Sequence, residues 1–182
     1  QALSQVFEPG SVAGVDKDTF IGYAEMAARF DSRRYRGRPD SGALIETYTG
    51  GAHNVTGQTV AFMRFGWRAA GFIPIYRQTN IFSPRIVVDR LLPLGGLPVP
   101  FNELPQQPDF RGADTRRDLV SVVMSLDYTW ELVDFMGARL FFDVATVSNG
   151  IAEFSLEQIK YARYAGGFGF DFYTDTTLIA QF

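Results

Sequence analysis

The sequence predicts an all-β protein, an antiparallel transmembrane β-barrel with about eight strands. Segments in which apolar and polar residues alternate recur along most of the chain, and this alternation puts one residue type on each face of a strand. The apolar faces are long and rich in aromatic residues, which make up 15% of the chain. No run reaches the roughly 20 apolar residues of a membrane helix, but barrel strands need none because their apolar residues occupy alternate positions.

Length and composition restrict the possible functions. The 182 residues allow one domain with a substantial core, or one barrel. The net charge of -3 gives no reason to expect a nucleic-acid partner. Cysteine is absent, which excludes disulfides, thiolate metal sites and a cysteine nucleophile, and the single histidine excludes a histidine-rich metal site. We therefore expect no metal and no cofactor.

The chain divides into a lead-in segment, residues 1–17, and one barrel domain, residues 18–182, which contains a long loop over residues 92–118. No signal peptide is visible, and Gln1 suits a mature end left after cleavage or the start of a fragment. Clusters of Gly, Pro, Asn and Asp separate the alternating segments. The eight predicted strands cover residues 18–31, 42–50, 59–71, 81–91, 120–132, 138–144, 161–173 and 176–182.

The first two strands differ in the strength of their pattern. In the first strand, Phe20 and Phe30 share an apolar face, and Glu25 and Arg29 lie opposite. A helix competes there because Ala, Glu and Met favour helices, but an alternation that reaches both Phe residues favours a strand. A charged turn follows, and the weaker second strand leads into a Gly/Asn-rich loop that contains His53.

The third and fourth strands carry charged residues opposite an apolar face. In the third strand, Trp67 belongs to the apolar face and Arg64 to the polar face. In the fourth strand, Arg85 and Asp89 share the polar face. Pro84 lies within this strand and predicts a bulge or a strand start, because proline has no N–H to donate to a ladder.

The loop over residues 92–118 is the longest stretch without a periodic pattern. Its many proline and glycine residues exclude regular structure. Loops longer than about 12–15 residues are uncommon and are typically functional or disordered. This loop contains Phe101, Leu104 and Phe110, so we expect it to fold against the rest of the domain.

The fifth strand has the clearest pattern in the chain. From Val120 to Leu132 seven apolar residues alternate with a face that includes Asp127 and Glu131. This apolar face spans about 13 residues, whereas soluble strands are typically about 5–6 residues long and tilted membrane strands need about 9–11. The length favours a strand that crosses a bilayer.

The last three strands continue the same alternation. The sixth places Arg139 and Asp143 opposite an apolar face, and the seventh alternates aromatic residues with glycine. The eighth ends at Phe182. A terminal aromatic residue fits the signal that outer-membrane proteins present for assembly, although any β protein can end in Phe.

The two faces of each strand do not by themselves say which face is inside. A membrane barrel is apolar outside and polar inside, and a soluble barrel or sandwich has the reverse order. Long aromatic faces, charges of both signs, and a basic complement that is nearly all Arg favour the membrane barrel; a soluble sandwich with a solvated polar face remains the alternative. The predicted lumen charges are Arg85, Asp89, Asp127, Glu131 and Arg139.

Several motifs resemble the carboxy-terminal part of the Omp85 superfamily, of the BamA-like or surface-antigen D15 type. The loop ends in Phe110-Arg111-Gly112, the next strand contains Asp127-Tyr128, and the strand after it contains Phe141-Phe142-Asp143, with Ala145 where the family has glycine. Ala113 stands where the family has an aromatic residue after Arg-Gly. The likeness covers roughly residues 40–182, and the combination is more specific than each short motif.

The resemblance implies a barrel in the bacterial outer membrane, with lipids and proteins of an outer-membrane assembly as partners. It implies a role in inserting or translocating proteins, and a loop that folds into the lumen. The implied lock between loop and wall consists of Phe110, Arg111, Gly112 and Asp143. The family barrel has 16 strands, so this chain is either part of a larger barrel or a reduced barrel of eight strands. A structural or accessory barrel without insertase activity is the alternative function.

No enzymatic activity is predicted. His53 is the only histidine, and no nucleophile elbow or ordered triad spacing accompanies it. Glu46 with a second carboxylate would suit acid–base catalysis, but a balance of charges in the lumen explains the presence of Glu46 without a catalytic role.

Overall fold

A computed structural model describes residues 20–55, 60–76, 79–113, 116–151, 160–174 and 178–181. These residues form one sheet of eight antiparallel strands in which sequence neighbours are also neighbours in space. The all-β, antiparallel prediction is confirmed. The strands are β1 (Ile21–Asp31), β2 (Gly42–Asn54), β3 (Ala61–Tyr76), β4 (Asn80–Pro93), β5 (Val120–Val133), β6 (Met136–Ser148), β7 (Arg163–Tyr173) and β8 (Leu178–Gln181).

Several strands are longer than predicted because each continues as far as its neighbour offers backbone partners. β2 runs on to Asn54, which pairs with the first residue of β1. His53 therefore lies in a strand, and its prediction as a loop residue is wrong. β3 runs on to Tyr76, which pairs with Asn80 across a short turn.

Pro84 interrupts one ladder without displacing it. The β3–β4 pairs Ala70–Arg85 and Ile73–Phe82 keep the same register on either side of Pro84. The prediction of a bulge or a strand start at this proline is therefore wrong. Proline removes one donor from the ladder, and the continuous pairing of β4 with β5 holds the strand in place.

The sheet is curled but open. Within the described part of the chain, β1 pairs only with β2 and β8 only with β7, so the predicted closed barrel is not present as a closed ring. The turn between β1 and β2 nevertheless reaches the opposite edge, where the N–H of Leu178 in β8 donates to the carbonyl of Gly37 at 3.4 Å. On the open side, β1 is exposed on both faces from Gly22 to Phe30.

The two faces of the sheet have opposite character. We call the face that carries the long loop the inner face, and the other the outer face. On the inner face Asp89, Ser125 and Asp143 are buried. On the outer face large apolar side chains are exposed, including Met124 at 51% and Phe168 at 75%. The inner face therefore holds the buried charged and polar side chains, and the outer face exposes large apolar ones.

The loop between β4 and β5 covers residues 94–119, in place of the predicted 92–118, and packs against the inner face. Leu104 and Leu119 pack on a cluster that includes Phe62 and Leu91. A second apolar cluster, described below, holds the loop nearer its end. The middle and the last residue of the loop are therefore held against the sheet, as expected, whereas Phe101 stays exposed.

The lead-in segment, residues 1–17, and the terminal residue Phe182 lie outside the described residues. Among the described residues, no helix has the length and apolar character that crossing a membrane requires.

Replacing Gly66 with Ala is expected to destabilise the sheet. The ring of Tyr48 lies over Gly66, and a Cβ there would approach the ring to 1.8 Å. We expect the free energy of unfolding, measured by urea denaturation, to fall by about 1–3 kcal/mol, as for other overpacked sites.

Gly51→Ala is the matched control, because a Cβ at this strand glycine meets nothing within 4 Å. Equal effects of the two substitutions would show that Tyr48 does not pack on Gly66.

Candidate functional site

Arg111 joins the long loop to two neighbouring strands. Its Nε and Nη2 donate to the two carboxylate oxygens of Asp143 on β6, at 2.7 and 2.6 Å. Its Nη1 and Nη2 donate to Asp127 on β5 at 2.6 and 3.2 Å. These two bidentate contacts use four of the five N–H groups of one planar guanidinium. The two residues that the family resemblance pairs, Arg111 and Asp143, are therefore in direct contact.

The backbone and an aromatic ring complete the setting of Arg111. Its backbone N–H also donates to Asp143, at 3.1 Å. The guanidinium lies 3.9 Å from the centre of the Phe141 ring, a cation–π distance. Burial disfavours the charged form of Arg111, but its hydrogen bonds to Asp143 and Asp127 outweigh burial and raise its pKa above the ordinary value. Arg111 therefore stays charged between its two carboxylates.

Phe110 and Gly112 flank Arg111 in the sequence and fix its position. Phe110 is buried against Val123 and Ala145 of the inner face. Its ring folds back over Gly112, where a Cβ would lie 2.3 Å from the ring. Phe110 thus anchors the loop, Arg111 supplies the cation, and Gly112 leaves space for the ring of Phe110.

Asp143 is the most enclosed charged group of the site. It is 0% exposed and sits on β6 directly opposite Ser125 of β5. A buried carboxylate is costly unless it is paired and hydrogen-bonded. Arg111 satisfies both oxygens, so the loop compensates for a charge that belongs to the wall.

A second loop residue, Asp109, reaches the other side of the inner face. Arg85 of β4 donates to its carboxylate at 2.9 Å and to its carbonyl at 3.3 Å. Arg85 also donates to Ser125 at 3.2 Å, and Arg68 of β3 lies 3.6 Å from the same carboxylate. The loop therefore presents an acid to β3 and β4, and a base to β5 and β6.

The other predicted lumen charges also point inward and form pairs. Asp89 binds Arg64 through two hydrogen bonds. Arg139 lies 3.8 Å from Asp127 and 3.6 Å from Asp171 of β7. These pairs extend across neighbouring strands from β3 to β7.

Glu131 of β5 is paired with an arginine of the β1–β2 turn, which lies at the other edge of the sheet. Its carboxylate accepts a hydrogen bond from Arg38 of the β1–β2 turn at 2.5 Å. The same guanidinium lies 3.5 Å from the centre of the Tyr173 ring on β7. Arg38 thus holds the turn across the opening of the curled sheet.

The loop and these pairs leave a cavity of about 420 Å³ on the inner face. Its lining extends over six strands, from β3 to β8, and includes four arginines and four carboxylates. Charge in this space is balanced. Among the described residues, no group of three or more His, Asp or Glu side chains has a metal-binding arrangement.

Sequence reasoning missed Arg38 and Asp109 as members of this network. Asp171 of β7 lies on the polar face that alternation predicts for it. Arg38 lies in a turn and Asp109 in a loop, where no periodic pattern predicts which way a side chain points. Comparison with protein-family models and with curated proteins finds no match to this chain.

Removing the Arg111 charge is expected to cost more stability than removing either carboxylate. Arg111→Gln leaves the buried Asp143 without its cation and leaves Asp127 with Arg139 alone, at 3.8 Å. We expect a loss of about 3–5 kcal/mol, typical for a broken buried pair. Asp143→Asn leaves Arg111 bound to Asp127, so we expect a smaller loss of about 1–3 kcal/mol. Urea denaturation of the single and double variants measures both values.

The double variant gives the coupling between the two residues, expected at about 1–3 kcal/mol for direct partners. Arg117→Gln is a control, because Arg117 is an exposed arginine of the same loop. Additive losses in the double variant would contradict a direct Arg111–Asp143 interaction.

Proposed function

We propose that this chain forms an outer-membrane β-barrel wall of the Omp85 type, concerned with the insertion or translocation of proteins. The observation that carries the proposal is the double contact of Arg111 with Asp143 and Asp127. It ties a long loop to the polar face of a sheet whose other face is apolar.

The apolar outer face supports the membrane location. Large exposed side chains recur along alternate positions of β3, β5, β6 and β7, with Trp67, Leu126, Leu140 and Phe170 as examples. In water such a surface would be a strong aggregation hazard. In a bilayer the same surface is favourable, and the polar, ion-paired inner face is the normal filling of a barrel lumen.

The open edge supports a place in a larger barrel. On the inner face of β1, Arg29 lies 3.6 Å from Glu46 and its side chain is exposed, because no described residue covers that strand. Among the described residues, the outer edge of β1 has no partner strand over its 11 residues. Such an edge cannot remain in hydrocarbon, because each free backbone group there costs several kcal/mol. Pairing of β1 with a further strand satisfies these groups.

The motifs support the activity. Phe110, Arg111, Gly112 and Asp143 match the family pattern in sequence and form one contact in space. A loop held by ion pairs, and not by a large apolar core, can be released by competing contacts. Such a loop suits a barrel that handles other polypeptides.

A structural or accessory barrel is the second candidate, and one observation favours it. The loop and its ion pairs occupy the inner face and leave a cavity of about 420 Å³. No extended polypeptide crosses a space of that size unless the loop moves. A barrel with a permanently fixed loop would serve as an anchor or a packing partner.

The membrane location predicts that the purified chain requires detergent. It should also migrate differently on gels with and without heating, because a folded barrel resists the denaturant until it is heated. Stable solubility of the chain without detergent would refute both membrane functions.

The activity predicts faster folding of other barrels. Proteoliposomes that contain the chain should accelerate folding of an unfolded outer-membrane protein relative to empty liposomes. Arg111→Gln should abolish the acceleration, and Arg117→Gln should not. Equal folding rates with and without the native chain would reject the insertase activity and leave the structural function.

A further inference from the structure

The turn between β1 and β2, residues 32–41, contains four arginines with two different roles. Arg33 and Arg38 are structural: Arg33 donates to both carboxylate oxygens of Asp31 at 2.9 and 3.0 Å, and Arg38 is bound to Glu131. Arg34 and Arg36 are exposed, with side chains 52% and 78% accessible.

The two exposed arginines have weak partners. Arg34 lies 3.7 Å from Asp40 and Arg36 lies 3.4 Å from Asp31, which Arg33 already binds. Such exposed pairs contribute little. The four arginines face three carboxylates in total, so the turn keeps one excess positive charge, concentrated on its exposed side.

This charge lies at the end of the apolar outer face. The β1–β2 ladder continues into the turn, through hydrogen bonds from Ser32 to Ala43 and from Arg34 to Ser41. Arg34 has the same parity as Phe30, an exposed residue of the outer face, so alternation puts both on one side. Tyr35 at the turn is exposed and stacks with Arg34 at 4.9 Å.

An apolar groove begins beside the turn on the same outer face. It has a volume of about 440 Å³ and extends across β2, β3, β4 and β5. Ala43 and Gly71, which pair with each other, form its end nearest the turn. Ile45, Ile86 and Leu126 form its sides.

We propose that this turn and groove form a binding site for one anionic phospholipid. The phosphate lies against Arg34 and Arg36, because guanidinium groups bind phosphate oxygens in a planar, charge-assisted geometry. An acyl chain lies in the groove. Tyr35 has the amphipathic character that membrane–water interfaces favour.

The choice of occupant follows from charge. A protein partner on the apolar groove would need no cation at its end, and a free phosphate would need no groove. An anionic lipid uses both. The inference rests on the proposed membrane location, and the experiment below separates the failure of one from the failure of the other.

Bilayers that contain brominated lipids test the site through the fluorescence of Trp67. This residue is exposed on the outer face, two positions from Ala69 of the groove, and Trp130→Phe makes it the only tryptophan. Quenching by brominated phosphatidylglycerol is compared with quenching by brominated phosphatidylcholine. The ratio is an internal control, since partial misfolding lowers both values.

We expect phosphatidylglycerol to bind about fivefold more tightly than phosphatidylcholine, because one net positive charge near an anionic lipid gives a preference of about this size. Arg34→Gln with Arg36→Gln removes two positive charges and leaves one excess negative charge on the turn, so the ratio should fall to one or below. Arg116→Gln with Arg117→Gln is the matched control, because it removes two exposed adjacent charges from the long loop, and it should leave the ratio unchanged.

A ratio near one in the native sequence would overturn the site, and so would an equal fall in the control pair, which would mean general surface attraction. If neither lipid quenches Trp67, the chain is not in the bilayer, and the proposed function fails with the inference.

Discussion

One cation bound to two carboxylates organises the interior of this sheet. Arg111 comes from a loop, and Asp143 and Asp127 come from adjacent strands. Asp143 is fully buried, and an isolated buried carboxylate is strongly unfavourable. The wall therefore depends on the loop to compensate its charge, and the loop depends on the wall for its position.

The same constraint explains the reversed faces of the sheet. Once the inner face carries charges that must pair across strands, the apolar side chains remain on the outside. Asp109 and Arg111 serve opposite halves of the inner face, so a single loop connects the pairs of β3 and β4 to those of β5 and β6. Arg38 makes a similar connection, because it joins the β1–β2 turn to Glu131 of β5.

Strand parity, and which charged residues share a face, could be predicted from alternation alone, because side-chain direction in a strand has a fixed period. Asp89, Asp127 and Glu131 all lie on the predicted face. The partners of Arg38 and Asp109 could not be predicted, since neither residue lies in a strand. The extension of β2 past His53 depends on how far β1 offers partners, which is a property of two distant segments.

The proposed contact of the outer face with lipid can be tested directly, because the chain has no native cysteine to interfere with labelling. Single cysteines at Met124, Leu140 and Phe168, each spin-labelled in bilayers, report collisions with oxygen and with a water-soluble nickel chelate. A label at Arg36 in the exposed turn is the reference. If the outer face contacts lipid, we expect frequent oxygen and rare nickel collisions at the three outer positions, and the reverse at Arg36. Nickel collisions as frequent at the outer positions as at Arg36 would contradict it.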